Sequence, residues 1–413
     1  MQTITRQNLL VITSTFPRWA GDHEPPFVFE LARRLTGHFA VTVLAPHAPG
    51  AKRQEQMDRI DVYRFRYAPD RFEKLAYAGG IPSRLRQYRW LILLVPVFVL
   101  VQLATTYGLV RRLKPTSVHA HWLITGGLIA ALVKTFSRVP FRLLVTAHGA
   151  DVYGLRHPLL LRIKRWVLRQ ADCVTVVSDA LAGAVRAIGI DDKKIVVQGM
   201  GTDLKDTFVP LRRPPGPPTL VYAGRLVNKK GVDTLLRASA LVLRSVPELH
   251  IVIAGHGPDR EQLEALSEEL NISASVRFSG PYQLSELPQI YASASLAVFP
   301  FRASSDGDQD GLGLAVIEAM GCSVPVVGSD IAVLDDLLVP DITALRAPVD
   351  DVEAFAQCIR VTLNQPEASL ERAAAARELV TGRYDWATVA VAYAGLLDPE
   401  LKQPVVPRPP EDN

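Results

Sequence analysis

Two carboxylates eight residues apart, Asp310 and Glu318, flank a glycine-rich turn in the segment DGLGLAVIEAMGCSVPVVGSD. The turn opens a short predicted helix that is followed by a strand. The free amides at the start of a helix attract a phosphate, and glycines let that phosphate approach the backbone. A carboxylate one turn further along can accept hydrogen bonds from a ribose. The pattern predicts a nucleotide ligand, but a glycine-rich turn beside an acid is also common in α/β folds without one.

A second segment, VYAGRLVNKKG, places Arg225 and Lys230 in a loop between a predicted strand and a predicted helix. Arginine offers a rigid fork of hydrogen-bond donors, and lysine offers a mobile point charge. Together they could neutralise a departing nucleoside diphosphate as negative charge builds on it. We expect Lys229 to be a solvated neighbour of this pair.

A third segment, IVIAGHGPDREQL, is another strand, glycine-rich turn and helix. Gly255 and Gly257 would permit a ligand to approach the backbone. The alternative is a tight turn with Asp259 near the start of the helix, and the sequence leaves both interpretations open.

The elements that must position these residues alternate between short β-rich runs and amphipathic helical segments, which is typical of parallel sheets. At 413 residues, with 48% hydrophobic and 21% charged residues, the chain exceeds one usual hydrophobic core. The Pro-rich stretch RRPPGPPT can form neither a helix interior nor a central strand. We therefore predict an α/β fold with two doubly wound Rossmann-like domains facing a cleft. The predicted divisions are a first domain over 1–211, a linker over 212–218, a second domain over 219–385, a helix over 386–401 packing back on the first domain, and a disordered tail over 402–413.

The net charge of +4 fits anionic small ligands or anionic membrane surfaces and does not require a nucleic acid. The three cysteines, Cys173, Cys322 and Cys358, lie in apolar segments without the spacing of metal ligands. They are typical of reduced thiols in a cytoplasmic protein.

The acidic residue, GLGL, EAM and PVV of the first segment resemble the E-x7-E signature of the family-four retaining glycosyltransferases. These enzymes have two facing domains in the arrangement called GT-B. The first acidic position is Asp310 here, where that family usually has Glu. The resemblance extends over nearly the whole chain and is most specific between Tyr222 and Asp330.

The resemblance implies roles for individual residues. The catalytic set is His148, Arg225, Lys230, Asp310 and Glu318, with His148 facing the donor sugar in the segment HGAD. The set that binds the donor is Gly224, Gly255, Gly257, Pro281, Tyr282, Gly311, Gly313 and Leu314. The family usually has a glycine-rich loop after the first strand, where this chain has only Gly21. The set on the acceptor side is Arg18, Trp19, Gly21, Asp22 and Asp151.

The implied activity is transfer of a hexosyl group, with retention, from a nucleotide-diphospho-sugar to a lipid-linked or polysaccharide acceptor of the cell envelope. No metal and no further cofactor is expected. His119 and His121 lack a third ligand nearby, and the acidic run with Asp306 and Asp308 fails the register of a calcium-binding loop. A nucleotide-sugar epimerase of similar architecture and a non-catalytic nucleotide-sugar binding protein remain as alternatives.

The segment 89–115 is strongly apolar and has arginines on both sides. Pro96 and Gln102 interrupt it, and a membrane span here would divide a domain. Two interpretations remain open. One is a peripheral contact with an anionic membrane at its cytoplasmic face, and the other is an internal helix packed against the first sheet.

Overall fold

The computed structural model describes residues 6–19, 21–22, 26–77, 80–154, 157–303 and 310–401. The predicted tail over 402–413 and the acidic positions Asp306 and Asp308 lie outside the described residues.

Fourteen strands form two separate sheets within the described part of the chain. The first sheet is built from β1 (Gln7–Ile12), β2 (Phe39–Pro46), β3 (Gln54–Met57), β4 (Ile60–Phe65), β5 (Ser117–His121), β6 (Arg142–Ala147), β7 (Cys173–Val176) and β8 (Ile195–Val197). The second is built from β9 (Thr219–Ala223), β10 (His250–Ala254), β11 (Val276–Gly280), β12 (Leu296–Phe299), β13 (Val326–Ser329) and β14 (Leu345–Ala347).

Helices connect the strands and cover the sheets. Those of the first half are α1 (Phe27–Leu35), α2 (Gly80–Gln87), α3 (Val95–Leu113), α4 (Leu128–Phe136), α5 (Ala150–Tyr153), α6 (Pro158–Gln170) and α7 (Asp179–Ile188). Those of the second half are α8 (Val232–Leu243), α9 (Arg260–Glu269), α10 (Leu287–Ala292), α11 (Leu314–Gly321), α12 (Val352–Asn364), α13 (Pro366–Tyr384) and α14 (Trp386–Leu397). A 3-10 segment, Arg89–Leu94, runs directly into α3.

The strand order of each sheet reverses at one point. The first sheet runs β3-β4-β2-β1-β5-β6-β7-β8 and the second runs β11-β10-β9-β12-β13-β14. Only β3 is antiparallel to its neighbour among these strands. Central strands are buried on both faces, as in β6 and β12, which explains their nearly continuous apolar sequences. This confirms the predicted pair of doubly wound Rossmann-like domains.

Open α/β sheets bind ligands beyond the carboxyl ends of their strands, where the order reverses. In the first sheet this point lies between β1 and β5, and in the second it lies between β9 and β12. Residues that follow these four strands are therefore the first candidates for a site.

The chain crosses between the two hydrophobic cores twice, at adjacent positions. Leu204 already packs in the second core, ahead of the Pro-rich stretch. Near the other end of the chain, Trp386 on α14 returns to the first core. The Thr202 amide donates to the carbonyl oxygen of Tyr384 at 2.9 Å, and the Trp386 amide donates to that of Thr202 at 3.1 Å. The two crossing segments are thus hydrogen-bonded to each other.

Candidate active site

The loop after β9 carries the two predicted cations at the reversal point of the second sheet. Lys230 ends a 3-10 turn, Asn228–Lys230, and Gly231 then adopts a left-handed conformation (φ 64°) before α8 begins. A Cβ atom at Gly231 would lie 1.9 Å from the Pro300 carbonyl oxygen, so glycine is required there. Arg225 is exposed in the same loop.

Lys230 meets a carboxylate that is 80 residues away in the sequence. Its ammonium forms an ion pair with Asp310 and lies 3.8 Å from the centre of the Phe301 ring. Lys229 also reaches Asp310, with an Nζ to Oδ1 distance of 3.2 Å. Burial opposes ionisation of Asp310, but the charges of Lys230 and Lys229 outweigh it and lower the pKa of that carboxyl. Lys229 is therefore a partner of the acid, and its expected role as a solvated neighbour is wrong.

Glu318 lies within α11, whose first turn follows the glycine-rich segment. Burial raises the pKa of Glu318 to about 8, although the nearby Lys230 charge lowers it. Burial raises the pKa of Tyr282, and the charge of Glu318 raises it further. Tyr291 donates its hydroxyl proton to the Ala315 carbonyl oxygen at 3.0 Å and so ties α10 to this turn.

At the start of α11, Gly313 caps the helix and its carbonyl oxygen accepts from Val316 and Ile317. The Leu314 amide donates to the Leu312 carbonyl oxygen at 3.1 Å. Pro281 is exposed at the end of β11, next to Tyr282. Gly313 and Leu314 lie at the start of the helix that carries Glu318, whereas Pro281 follows the edge strand β11, and its contact with a donor stays a prediction.

Three glycines of the predicted binding set hold two loops against each other. A Cβ atom at Gly255 would lie 1.8 Å from the Gly224 carbonyl oxygen, and one at Gly257 would lie 2.0 Å from that of Leu226. The Gly224 amide donates to the Ala254 carbonyl oxygen at 2.9 Å. Backbone packing alone thus requires Gly255 and Gly257, and their contact with a ligand stays a prediction.

His148 follows β6 in the first sheet, and its loop is held by a buried carboxylate. Asp151 accepts hydrogen bonds from the backbone amides of Leu123 (2.9 Å), His148 (3.0 Å) and Gly149 (3.1 Å). Gly149 has φ 117°, which lets the loop turn sharply. Asp151 is 7% exposed, so the structure places it behind this loop, and its acceptor-side role stays a prediction.

The His148 ring belongs to a buried row of three imidazoles that the sequence alone did not reveal. His121 on β5 meets it, with 3.0 Å between His121 Nδ1 and His148 Nε2. The rings of His119 and His121 are 4.2 Å apart, because alternate residues of a strand share a face. Burial lowers the pKa of His148 to about 3, so its ring is neutral at physiological pH. Trp122 and Phe27 pack beside it, with ring centres 4.8 and 5.2 Å away.

The two halves of the candidate site touch through glycines. A Cβ atom at Gly311 would lie 2.0 Å from the His148 carbonyl oxygen, and one at Gly149 would lie 2.8 Å from the Gly311 backbone. The turn that carries Asp310 therefore packs directly against the His148 loop. Predicted catalytic residues from both sheets meet at this contact.

The remaining predicted positions form a cluster after β1. Arg18 makes two side-chain hydrogen bonds to Asp22, with 2.8 Å between Arg18 Nε and Asp22 Oδ2. The Arg18 guanidinium also lies over the rings of Trp19 (4.5 Å) and Tyr77 (5.5 Å). Gly21 supplies the left-handed turn between them (φ 78°). Trp19 is 43% exposed, and its role on the acceptor side stays a prediction.

A group of potential metal ligands occurs elsewhere in the first sheet. His47, Asp70 and Glu73 have ligand atoms within 4.8 Å of one another. His47 Nδ1 already contacts Glu73 at 2.5 Å, and Arg66 pairs with Asp70 and lies 3.7 Å from Glu73. Because a guanidinium occupies the position a cation would take, this group gives no support for a metal, and the expectation of a metal-independent site stays a prediction.

Comparison with known proteins gives the same division of the chain. The profile of glycosyl transferases group 1 matches residues 205–379, and that of the glycosyl transferase 4-like domain matches residues 26–201. The chain is 29% identical to a glycogen synthase of Mycobacterium tuberculosis over 72% of this chain and 74% of that protein.

A second relative covers almost the whole sequence. It is a GDP-mannose-dependent alpha-(1-6)-phosphatidylinositol monomannoside mannosyltransferase of Mycobacterium tuberculosis, 28% identical over 94% of this chain and 97% of that protein. Among solved structures, the sucrose-phosphate synthase of Thermosynechococcus elongatus superposes with a TM-score of 0.77 and 23% identity, over 95% of this chain and 98% of that one.

The two profiles adjoin at the point where the chain first crosses between the cores. The profile over residues 26–201 begins after β1 and covers the other strands of the first sheet with His148. The profile over residues 205–379 covers every strand of the second sheet with Lys230, Asp310 and Glu318. With relatives of matching length and fold, this chain belongs to the group 1 glycosyltransferases of GT-B architecture.

Proposed function

We propose that this glycosyltransferase moves a hexosyl group, with retention of anomeric configuration, from a nucleotide-diphospho-sugar to a lipid-linked or polysaccharide acceptor of the cell envelope. The observation that carries the proposal is the meeting of Lys230, Asp310 and Glu318 at the reversal point of the second sheet, against the His148 loop of the first. The cytoplasm, where nucleotide sugars are available, is the proposed compartment.

The proposed chemistry uses protein charges to stabilise the leaving group. The bond between the anomeric carbon and the phosphate oxygen breaks, and negative charge develops on the nucleoside diphosphate. Arg225 and Lys230 neutralise that charge, and they take the part that a divalent metal plays in other transferases. The Gly313 amide and the carboxylate of Asp310 orient the phosphate and the sugar, and Leu314 lines the same turn.

The acceptor hydroxyl then attacks from the same face of the sugar. Its oxygen forms the new bond to the anomeric carbon, and its proton passes to an oxygen of the departing phosphate. His148 is neutral, and one ring nitrogen contacts His121, so it suits positioning of the sugar better than covalent attack. Glu318 accepts hydrogen bonds from the ribose hydroxyls of the donor.

The two relatives support the proposed classes of donor and acceptor. The mannosyltransferase is named for GDP-mannose and a phosphatidylinositol mannoside, and the other relative is a synthase of a polysaccharide. A nucleotide sugar and a lipid-linked or glycan acceptor are therefore the proposed partners of this chain.

A panel of nucleotide sugars is expected to identify the donor by thermal stabilisation. A ligand present at about 100 times its dissociation constant adds about 2.7 kcal/mol to the free energy of unfolding. We expect one class of UDP-, GDP- or ADP-hexose to raise the melting temperature, while the free hexose leaves it unchanged. Transfer to a matching acceptor, followed by NMR of the new glycosidic bond, would report the anomeric configuration. Inversion, or conversion of the donor without any acceptor, would contradict retaining transfer.

Substitution of Gly311 by alanine is expected to reduce turnover on the order of 10-fold to 100-fold, with a smaller loss of donor affinity because Gly311 is also a predicted donor-binding position. The new Cβ atom would collide with the His148 carbonyl oxygen and with Val177, both in the first domain. The collision separates the domains, and misplacement by about 1 Å can cost roughly 100-fold in rate. Calorimetry with the donor and steady-state kinetics would separate the two effects. Gly183→Ala, where the added atom meets open space, is the control. Equal turnover in both variants would show that the contact is not part of the productive arrangement.

A further inference from the structure

The continuous helical segment from Arg89 to Leu113 has two apolar faces, of which only one is covered. The covered face packs on the first core through Leu91, Phe98, Gln102, Thr106, Leu109 and Val110. The opposite face, which we call the outward stripe, consists of Leu93, Val97, Leu100, Ala104 and Tyr107. These positions are spaced by four and three residues, so they follow one side of the helix.

The outward stripe brings several strongly exposed apolar side chains together in one row. Leu93 is 75% exposed and Leu100 is 64% exposed, and Ile92 (55%) and Trp90 (45%) extend the apolar surface at the helix start. Scattered exposed apolar side chains are ordinary, whereas a contiguous row of them indicates an interaction surface.

The covered face argues against a membrane span. By length and composition, Arg89–Leu113 is the helix within the described residues that could cross a bilayer. However, Phe98 packs edge-on against Phe65 and Tyr67, with ring centres 5.0 Å away in each case. Gln102 and Thr106 are fully buried on the same side. If the helix spanned a bilayer, its covered face would lose its packing against β4, and the two polar side chains would lie in hydrocarbon. Any membrane contact of this helix therefore has to be along the membrane surface.

The charged residues in the sequence that flanks the outward stripe are all basic. Between residues 74 and 150 the sequence contains ten Lys or Arg residues and no Asp or Glu. Arg84, Arg86 and Arg89 precede the stripe, and Arg111 and Arg112 follow it. The apolar side chains suit the boundary of the bilayer's hydrocarbon region. The basic clusters on both sides suit its anionic headgroups, because each headgroup phosphate attracts nearby cations.

The helix start lies at the same edge of the sheet as the candidate site. A segment that connects parallel strands begins at their carboxyl ends, and this segment connects β4 to β5. Trp90 contacts the exposed Phe72, with 6.1 Å between ring centres. Arg84 donates to the Lys74 carbonyl oxygen at 2.9 Å, close in sequence to Tyr77 of the Arg18 cluster. The outward stripe therefore leads toward the acceptor side of the cleft.

We infer that this chain docks peripherally on an anionic lipid bilayer, with the helix Arg89–Leu113 lying in the plane of the interface and the outward stripe facing the acyl chains. The covered face stays packed on the first sheet. Docking itself does not depend on the transfer chemistry. Its consequence, that a lipid-linked acceptor would enter the cleft from the membrane side, rests on the proposed function.

Flotation of the full chain with lipid vesicles tests the inference. We expect binding to vesicles of phosphatidylcholine with phosphatidylglycerol, weaker binding to phosphatidylcholine alone, and release by high salt. The double variant Leu93→Glu/Leu100→Glu is expected to lose at least about 10-fold in vesicle partitioning, because two charges enter the apolar boundary. Leu370→Glu, at a 61% exposed position on α13 of the other domain, is the control. Both variants should melt as the wild type does, since the replaced side chains are exposed.

Three results would overturn the inference. The wild-type chain could fail to bind anionic vesicles, or the double variant could bind as tightly as the control. Alternatively, the wild-type chain could resist extraction by alkaline carbonate, which would mean that the helix spans the bilayer. Nucleotide-sugar binding by the double variant in solution separates these outcomes from a failure of the proposed function, because the donor site lies in the other domain.

Discussion

Replacement of Lys230 by alanine is expected to lower kcat by roughly 100-fold to 1000-fold, which is the usual effect of removing one preorganised donor from a developing oxyanion. Lys230 is only 15% exposed, so its charge acts in a poorly solvated position. The loss should appear mainly in kcat because the negative charge on the diphosphate is largest as the bond to the sugar breaks. The measurement is steady-state kinetics with the donor that the thermal-shift panel identifies.

The fold should survive this substitution. Asp310 keeps Lys229 as an ion-pair partner at 3.2 Å, so the buried carboxylate is not left without a cation. Arg244→Ala provides the matched control, since Arg244 lies at the opposite end of α8 from Lys230 and so at the far edge of the sheet. Turnover within twofold of wild type in a folded Lys230→Ala protein would remove this residue from the proposed machinery.

The sequence carries enough information for the architecture because most central strands have an apolar run and are followed by a helical segment. Strands such as β1, β6 and β12 are largely buried, and a helix between two strands is typical of a parallel crossover. No local sequence pattern determines the order of the strands in each sheet. That order depends on which helices pack on which face of the sheet, so the reversal points became known only from the structure.

The contacts within the site follow from that order. Lys230 pairs with Asp310 because β9 and β12 are neighbours, although 80 residues separate the two side chains. In the same way, His121 meets His148 because β5 and β6 are adjacent. His119 and His121 share a face of β5 because they alternate along the strand, but the third ring comes from another strand. The partner role of Lys229 had no local signal, since a lysine in a loop is usually solvated.

The helix Arg89–Leu113 shows why burial is hard to predict from an apolar segment. Both of its faces are apolar, so the period of hydrophobic residues does not distinguish them. The covered face holds Gln102 and Thr106, while the outward stripe holds Leu93 and Leu100. The internal-helix interpretation thus holds for the covered face, and membrane contact of the outward stripe stays a proposal.

Substitution of Glu318 by glutamine is expected to lower kcat/KM by about 100-fold and to remove a pH dependence of donor binding. A hydrogen bond to a charged group contributes about 1.5 to 3 kcal/mol, so loss of the carboxylate's bonds to the ribose would have this size. Burial raises the pKa of Glu318 to about 8, so most of the free protein carries the protonated acid at pH 7. Donor binding to the carboxylate then requires loss of a proton. Affinity of the wild type should rise between pH 6.5 and 8 and level off above it, whereas that of Glu318→Gln should stay flat. Isothermal titration calorimetry at several pH values would measure the affinity of each protein for the donor.

The same pKa predicts an effect on folding that does not depend on any ligand. The carboxyl has an ordinary pKa near 4.5 in the unfolded chain and about 8 in the folded one, so the folded state binds the extra proton between these values. Its contribution to stability is therefore complete below pH 4.5 and is lost as the pH rises to 8. Glutamine stays neutral, and the variant should gain in melting temperature relative to wild type from pH 6 to pH 9. Glu371→Gln, at an exposed position on α13, should show no such trend.

If the melting temperatures of the wild type and Glu318→Gln follow parallel pH profiles, Glu318 is ionised at neutral pH and the predicted proton release is absent. If only the binding profile fails, the buried acid is present but the ribose contact is not.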